Sequence, residues 1–454
     1  MGRVYVKTLG CKVNSYDSDE LETKFAAEGY EVSKDPKDAD ITVLNTCSVT
    51  SGADREARYY LRRFRKDNPE ALVVATGCYA QTDSEKLLQM PEVDFVFPNE
   101  VKERVAKVSD SQLKLKRAGQ PFSEPRLPKD LKPVAANKQG HFKSSLEMLP
   151  TNTQKTRAFL KIQDGCNGFC SYCLIPYARG ASRSVQPDQV LKEVRRLIDE
   201  GTKEIVFAGI HIGDYGRDLD GAHPSRNDFV ELIKELFSWE DMVRLRISSL
   251  EPRELPEELL KALAQRSELF CDHFHLPLQA GHDRILKLMR RSYTTSQYAE
   301  TVAMARSYFP RANFGADIIP GFPGETEEEF LATTKFIEDC GLNYLHVFPY
   351  SKRPNTAAAR LPDHHDAAVV KERAKALRDL SQKLEATYEK QFFGCTLEVL
   401  WEDRFASSGQ RLGRTKNYLD VIANAKAELV TGQITEVKLK GKHHSGKILG
   451  ISQN

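Results

Sequence analysis

No uninterrupted apolar stretch in this 454-residue chain approaches the eighteen or more residues of a membrane span. The N-terminus, MGRVYVKTLGC, lacks an apolar segment of the secretory type and runs straight into a strand-like pattern. A cytoplasmic protein without a membrane partner is therefore expected. A dominant charge is missing as well: 66 Lys and Arg against 64 Asp and Glu leave a formal net charge of +2. Any nucleic-acid partner must then be argued from local clusters. No tandem repeat is present, which argues against solenoids and propellers. What remains is an ordinary globular composition, 40% hydrophobic and 29% charged. The chain is too long for one core, so roughly two to four domains are expected. Nine cysteines in a reducing compartment point to metal ligands or catalytic thiols rather than a disulfide framework.

The first hundred residues alternate short apolar runs, VYVKTL (4–9), ITVLN (41–45) and LVVAT (72–76), with helical periodicity over 15–28 and 52–66. This predicts an open parallel α/β domain over 1–108. Residues 109–155 turn rich in Pro, Lys and small polar residues and read as a linker. Between 102 and 143, eleven Lys or Arg stand against four Asp or Glu. A second alternation follows, with strand-like runs at 158–162, 204–208, 243–247, 272–276, 313–318 and 343–347 and helical stretches between them. Six βα units predict a partial (β/α)6 barrel over 156–387, with its site at the carboxyl ends of the strands. A long helix over 366–393 precedes TLEVLWE, YLDVIAN, AELVTGQITEV and GKILGIS, which suit a small β-barrel over 388–454.

Cys166, Cys170 and Cys173 are spaced C-x3-C-x2-C directly after the first strand of the second alternation. Thiolates suit iron–sulfur clusters or zinc. A structural zinc site usually takes a fourth Cys or His at comparable short spacing, and none follows here. A cubane held by three thiolates leaves one iron open to a substrate. Gly165, Gly168 and Gly180 let the loop wrap closely. The plain alternatives are zinc or clustered core cysteines. A second set is dispersed: Cys11, Cys47 and Cys78 each sit just past the carboxyl end of a predicted parallel strand. Such ends line one crevice in an open α/β sheet, which would make a second three-thiolate site. Taken singly, each could be an ordinary buried cysteine. Cys271, Cys340 and Cys395 read as core packing.

TLGCKVN (8–14), NTCSVT (45–50), TGCYAQ (76–81), the triplet loop and GFPGET (321–326) resemble the methylthiotransferase family of radical S-adenosylmethionine enzymes. The resemblance covers nearly the whole chain, with 109–155 the least matched. It implies a radical-SAM barrel and a C-terminal barrel of the TRAM type. Within the family, IQDGCNGFCSYCLIPYARG (162–180), AGIHIGDYG (208–216) and RISSLEP (246–252) look most like the branch acting on N6-threonylcarbamoyladenosine in tRNA. The other branches act on isopentenyladenosine in tRNA or on a ribosomal-protein aspartate. A non-catalytic iron–sulfur RNA-binding protein is the alternative from another class. QAGHD (279–283) departs from the family pattern at Ala280 and His282.

The resemblance implies two 4Fe–4S clusters, on Cys11/Cys47/Cys78 and on Cys166/Cys170/Cys173. One S-adenosylmethionine would methylate a sulfur on the first cluster. A second, held at the open iron of the other, would be cleaved to a 5′-deoxyadenosyl radical that removes hydrogen from the substrate carbon. An electron donor such as a flavodoxin-type protein is implied too. Tyr172 fits a position against the adenine, and Gly209 lets backbone approach the methionine amino group. Ser249, Glu251 and Gln279 follow barrel strands and suit the ribose or methionine end. Asn14 fits a hydrogen bond near the first cluster or a simple turn. His211, His273, His275 and His346 read as core or rim histidines. For RNA, Arg55, Arg58, Arg62 and Arg65 fall on one helical face beside Tyr59 and Tyr60. The C-terminal barrel offers KLKGKHHSGK with Trp401, Arg411, Arg414, Lys416 and Tyr418. A solvated basic face is the alternative for both.

Overall fold

The computed structural model describes residues 2–123, 126–127, 146–148, 156–219, 228–407, 409–424 and 429–452. The chain forms two compact units. One comprises Met1–Asn152, Gln163–Val185 and Ser351–Arg360; the other comprises Thr153–Ile162, Gln186–Tyr350 and Leu361–Asn454.

In the first unit, β1 (Gly2–Thr8), α1 (Lys12–Ala27), β2 (Tyr30–Val32), β3 (Ile41–Thr46), α2 (Ser51–Asp67), β4 (Leu72–Gly77), α3 (Cys78–Thr82), α4 (Ser84–Leu88), β5 (Phe95–Phe97) and α5 (Val105–Arg117) follow one another. The five strands pair in parallel in the order β2-β1-β3-β4-β5. Every residue of β3 and β4 is buried, as central parallel strands covered on both faces require. Val43 and Val74 pack toward Phe25 and Phe97 on one face. Leu44, Val73 and Ala75 pack toward Leu61 and Phe64 on the other. Two short edge strands, β2 and β5, went unread because three residues are too few to show a period. The helix α5 corrects the expected linker boundary at 109. Val105, Ala106, Ser109, Gln112 and Leu113 make a buried stripe at helical spacing. Beyond it, Arg126 holds the carbonyls of Leu88 and Met90 at 2.7 and 2.6 Å, and its own carbonyl accepts from Val96 N–H. The rest of 109–155 lies largely outside the described residues.

The strand β6 (Ala158–Lys161) belongs to the second unit. The hairpin of β7 (Gln163–Asp164) and β8 (Arg183–Ser184), with α6 (Ile175–Arg179) between them, belongs to the first. The second unit continues with α7 (Pro187–Asp199), β9 (Glu204–Ala208), α8 (Asp228–Ser238), β10 (Arg244–Ile247), α9 (Glu257–Gln265), β11 (His273–His275), α10 (Asp283–Leu288), α11 (Thr295–Tyr308), β12 (Asn313–Ile318), α12 (Glu327–Asp339), β13 (Tyr344–Val347) and α13 (Ala367–Lys390). Its parallel strands run in sequence order as two three-stranded sheets, β6-β9-β10 and β11-β12-β13. A bridge between Leu245 and Phe270 adds a link beyond β10. This is the expected six-stranded partial barrel.

The chain ends in a closed five-stranded barrel, β14 (Thr396–Ser407), β15 (Gln410–Thr415), β16 (Asp420–Asn424), β17 (Ile434–Lys442) and β18 (Ile448–Ser452), in the order β14-β15-β16-β18-β17. The polar strand β15 was not legible as one. Trp401 also corrects expectation: it is fully buried, not an exposed RNA platform, and its indole N–H donates to Thr435 Oγ1 at 2.7 Å. It packs with Val399, Val421, Val437 and Leu439. Trp401→Ala is expected to cost about 3–5 kcal/mol through the cavity it leaves, read as a lowered urea midpoint. A change under about 1 kcal/mol would show that the barrel does not depend on this ring.

Candidate functional site

The six expected ligands all fall in the first unit. Cys11 follows β1 and caps the N-terminus of α1, Cys47 follows β3, and Cys78 opens α3 directly after β4. These three strands are neighbours, and the point where strand order reverses lies between β1 and β3, where open sheets bind ligands. Gly10 has φ +101°, and a Cβ there would lie 2.9 Å from Cys47 Sγ, so only glycine lets these two loops approach. Cys47 and Cys78 are buried and Cys11 is exposed, yet enough protein surrounds the Cys11 sulfur for burial to raise its thiol. Burial pushes Cys47 up to about 12, with Cys78 and Cys11 adding to the rise. All three cysteines follow neighbouring parallel strands at the same end of the sheet. Because the ligating form is the thiolate, binding a metal group at these cysteines would release protons.

The triplet loop lies between β7 and α6. Gly165, at φ +77°, leaves no room for a side chain: a Cβ would come within 1.9 Å of the Ala181 carbonyl oxygen. Two sulfurs already accept backbone hydrogen bonds, Cys166 from Gly168 N–H at 3.2 Å and Cys173 from Ile175 N–H at 3.4 Å. Such donors stabilise thiolate ligands of iron–sulfur clusters. Among the described residues, the groups whose ligand atoms all come within 4.8 Å of one another include neither cysteine triplet. The all-thiolate donor set and the N–H donors fit an iron–sulfur cluster.

Sequence reasoning missed the residue that joins the two sites. Arg179 is 2% exposed. One guanidinium nitrogen donates to both oxygens of Asp164 at 3.0 Å, and the other donates to Asn14 Oδ1 and to Asp17 Oδ2, the latter at 3.0 Å. Asn14 in turn donates to the carbonyls of Leu9 and Thr46 at 2.6 and 3.0 Å, fixing the loops that carry Cys11 and Cys47. Lys102 completes the network, with Nζ 2.9 Å from Asp17 Oδ2. The positive charge of Arg179 lowers the Cys11 and Cys47 thiols against their burial. Asn99 spans the same gap, donating to Ala178 O at 2.9 Å with Cys78 Sγ at 3.7 Å. A segment from Ser351 to Arg360 adds a further tie. Arg353 binds Asp54 at 2.7 Å and Ser48 at 2.9 Å, and Ala358 N–H donates to Ser171 O. The only signal for Arg179 was its place six residues after Cys173, because its partners lie 162 and 165 residues upstream.

Tyr172 is half-buried in the first unit. The other expected cofactor contacts lie in the second unit, each past a barrel strand. Gly209 and Ser249 are half-buried at the ends of β9 and β10. Glu251 pairs with Arg291 and joins a capping box with Glu254, so its carboxylate already has a cationic partner. Gln279, with φ +67°, donates its N–H to Asp317 O at 2.7 Å.

Several expected RNA contacts serve the protein itself. Arg58 donates to Tyr79 Oη at 2.7 Å, Arg65 binds Asp94, and Arg414 binds Asp420. Arg411 donates to Thr431, and Lys416 donates to the carbonyls of Ser267 and Glu268. Cys340 and Cys395 are half-buried rather than core residues; Cys271 is fully buried.

A family model described as the Radical SAM superfamily matches residues 160–337, and one described as Uncharacterized protein family UPF0004 matches 3–98. A relative named threonylcarbamoyladenosine tRNA methylthiotransferase MtaB, from Bacillus subtilis (strain 168), is 38% identical over 97% of this chain and 94% of its own. A tRNA-2-methylthio-N(6)-dimethylallyladenosine synthase from Bacillus velezensis is 31% identical over 96% of this chain and 83% of its own. Among solved structures, the radical S-adenosylmethionine methyltransferase TsrM from Kitasatospora setae, with cobalamin and a 4Fe–4S cluster, aligns with a TM-score of 0.55. That alignment covers 91% of this chain and 81% of the other at 14% identity, a likeness of fold alone. With two groups of three cysteines inside one unit and 38% identity over 97% of the chain to a curated relative, the chain belongs to the methylthiotransferase family of radical S-adenosylmethionine enzymes.

Proposed function

We propose that this enzyme inserts a methylthio group at C2 of N6-threonylcarbamoyladenosine next to the anticodon of tRNA, in the cytoplasm, with electrons from a flavodoxin-type donor. The observation that carries the reading is the pair of three-cysteine sites tied together by Arg179. When bound, the two clusters and S-adenosylmethionine supply a carbon-centred radical and a methylated sulfur. Cys166, Cys170 and Cys173 would hold the cluster that yields the radical, and Cys11, Cys47 and Cys78 the cluster that carries the sulfur. The glycine turns and buried ion pairs hold the loops that carry them. Tyr172, Gly209, Ser249, Glu251 and Gln279 would position S-adenosylmethionine. Proximity and exclusion of competing reactions are the protein's contribution.

For the RNA, Lys438 and Lys440 alternate along β17 with exposed side chains, while Lys442, past a bulge in the strand, pairs with Glu389. Arg55 and Arg62 remain exposed on α2. These surfaces, with a small TRAM-type barrel, suit phosphate contacts. The branch is read from 38% identity to the threonylcarbamoyladenosine relative against 31% to the dimethylallyladenosine one. The test is the modified-nucleoside profile of tRNA from cells lacking the protein. Methylthio-threonylcarbamoyladenosine is expected to disappear while its precursor accumulates. Loss of the methylthio-isopentenyl nucleoside instead would move the enzyme to the other tRNA branch. An unchanged tRNA profile would exclude both.

A further inference from the structure

The strands β11, β12 and β13 carry apolar side chains on one face and a polar chain on the other. Phe274 and Phe314 stack at 5.3 Å, and Phe274 meets Phe309 beyond α11 at 5.6 Å, which marks the helix side. His273, His275, Asp317, Tyr344 and His346 alternate onto the opposite face, with Asp317 in register with His346. Gly315 makes this possible: a Cβ there would lie 1.9 Å from Tyr344 Cζ, so the glycine leaves space for the tyrosine to lie across β12.

The polar groups form one connected line. His273 Nε2 lies 2.7 Å from Tyr344 Oη, and His275 Nδ1 lies 2.9 Å from the same oxygen. His275 Nε2 is 2.8 Å and His346 Nδ1 is 3.3 Å from Asp317 Oδ1. His273 is itself fixed by stacking on Tyr418 of the β15–β16 turn, with centroids 4.3 Å apart. Exposure of the side chains rises along the line, from 8% for His275 through 24% for Asp317 to 56% for His346. His273 and His275 also line a small cavity with Ile247 and Ser249, the latter an expected cofactor contact. The two imidazoles hold the Asp317 carboxyl well below the usual carboxylate range.

We infer that His346, oriented by the Asp317–His275–Tyr344 line, binds the carboxylate of the substrate's threonylcarbamoyl group; this rests on the tRNA branch read above. His346 Nδ1 lies against Asp317, so with a proton on each ring nitrogen it donates Nδ1–H to Asp317 and Nε2–H to a second acceptor. A carboxylate is the acceptor that makes such a bond charge-assisted. A dimethylallyl group offers no acceptor, so it forgoes this hydrogen bond and the affinity it gives. The subsite is thus a specificity device and not part of the radical chemistry.

The test uses purified enzyme loaded with both clusters and an anticodon stem-loop carrying threonylcarbamoyladenosine, or the same RNA with its carboxylate converted to a carboxamide. Wild type is expected to lose about 10- to 100-fold in kcat/KM on the carboxamide, the range of one hydrogen bond to a charged group. His346→Ala is expected to lose a similar factor on the carboxylate RNA and at most about 3-fold more on the carboxamide, and His346→Gln to recover part of the loss. Cluster absorbance and the thermal midpoint report whether each variant folds, and the exposed position lets the Gln variant stand in if the Ala variant does not. Equal losses by His346→Ala on both RNAs, or no loss on either, overturn the assignment. So does a stoichiometric divalent ion beyond the cluster iron that disappears in Asp317→Asn, which would make the triad a metal site. A wild-type enzyme that acts on dimethylallyl RNA alone overturns the branch reading and the subsite with it, and that result is visible before any variant is made.

Discussion

Arg179→Met is expected to destabilise the first unit by about 3–5 kcal/mol, the cost of removing one partner from a buried ion network. Arg179 and its acidic partners Asp17 and Asp164 are all nearly inaccessible to solvent. Without the guanidinium, Asp164 still accepts from Gly165 N–H at 2.8 Å and has Arg183 at 3.9 Å, and Asp17 has Lys102. Methionine fills much of the volume but leaves the Asn14 oxygen and the Asp164 carboxylate short of donors. Lysine keeps the charge, yet one ammonium cannot replace a planar fork that reaches Asp164 on one side and Asn14 and Asp17 on the other. Arg179→Lys should therefore recover only part of the loss. Because the loops of both cysteine sites hang on this side chain, iron retained after gel filtration should fall at both. The measurements are the denaturant midpoint and iron per chain. A loss below about 1 kcal/mol with full iron retention would mean that the network is incidental to the two sites.

Cys170→Ala and Cys47→Ala should separate the two thiolate sites. In a reduced preparation, Cys170→Ala is expected to lower 5′-deoxyadenosine formation by about three orders of magnitude or more, as when one member of a concerted unit is removed. Its iron should fall by about four atoms per chain, one cubane. Cys47→Ala should lose the same amount of iron and all methylthiolated product, while still cleaving S-adenosylmethionine. The Cys47 thiol is buried, with Gly10 packed against it. If Cys170→Ala continues to cleave S-adenosylmethionine, the enzyme reading fails and a non-catalytic cluster protein becomes the better description. If Cys47→Ala still forms product, the dispersed cysteines are the ordinary buried residues that each could be when taken singly.

The sequence by itself located the candidate thiolate ligands of this protein. The C-x3-C-x2-C spacing is local, and a run such as ITVLNT ahead of Cys47 marks a strand end without any tertiary information. Parallel-strand logic then places three cysteines at one sheet edge, and the order of β1, β3 and β4 agrees. The partial barrel was legible for the same reason, because its apolar strands and amphipathic helices alternate with strong periods. Strands that carry few apolar residues, such as QRLGRT, leave no such trace. Only the tertiary structure decided which charges are desolvated and who their partners are. Arg179 looked like any arginine beside a glycine until chain closure set it against Asn14 and Asp17. Trp401 looked like an RNA platform until barrel closure buried it, and arginines that suggested phosphate contacts proved to hold carboxylates and carbonyls of their own chain. His275, Asp317 and His346 sit on three separate strands, and parallel register alone brings them together. Hydrophobic period and ligand spacing act over a few residues and can be read along the chain. Desolvation and ion pairing depend on what folding encloses, so they are decided by residues far apart in sequence.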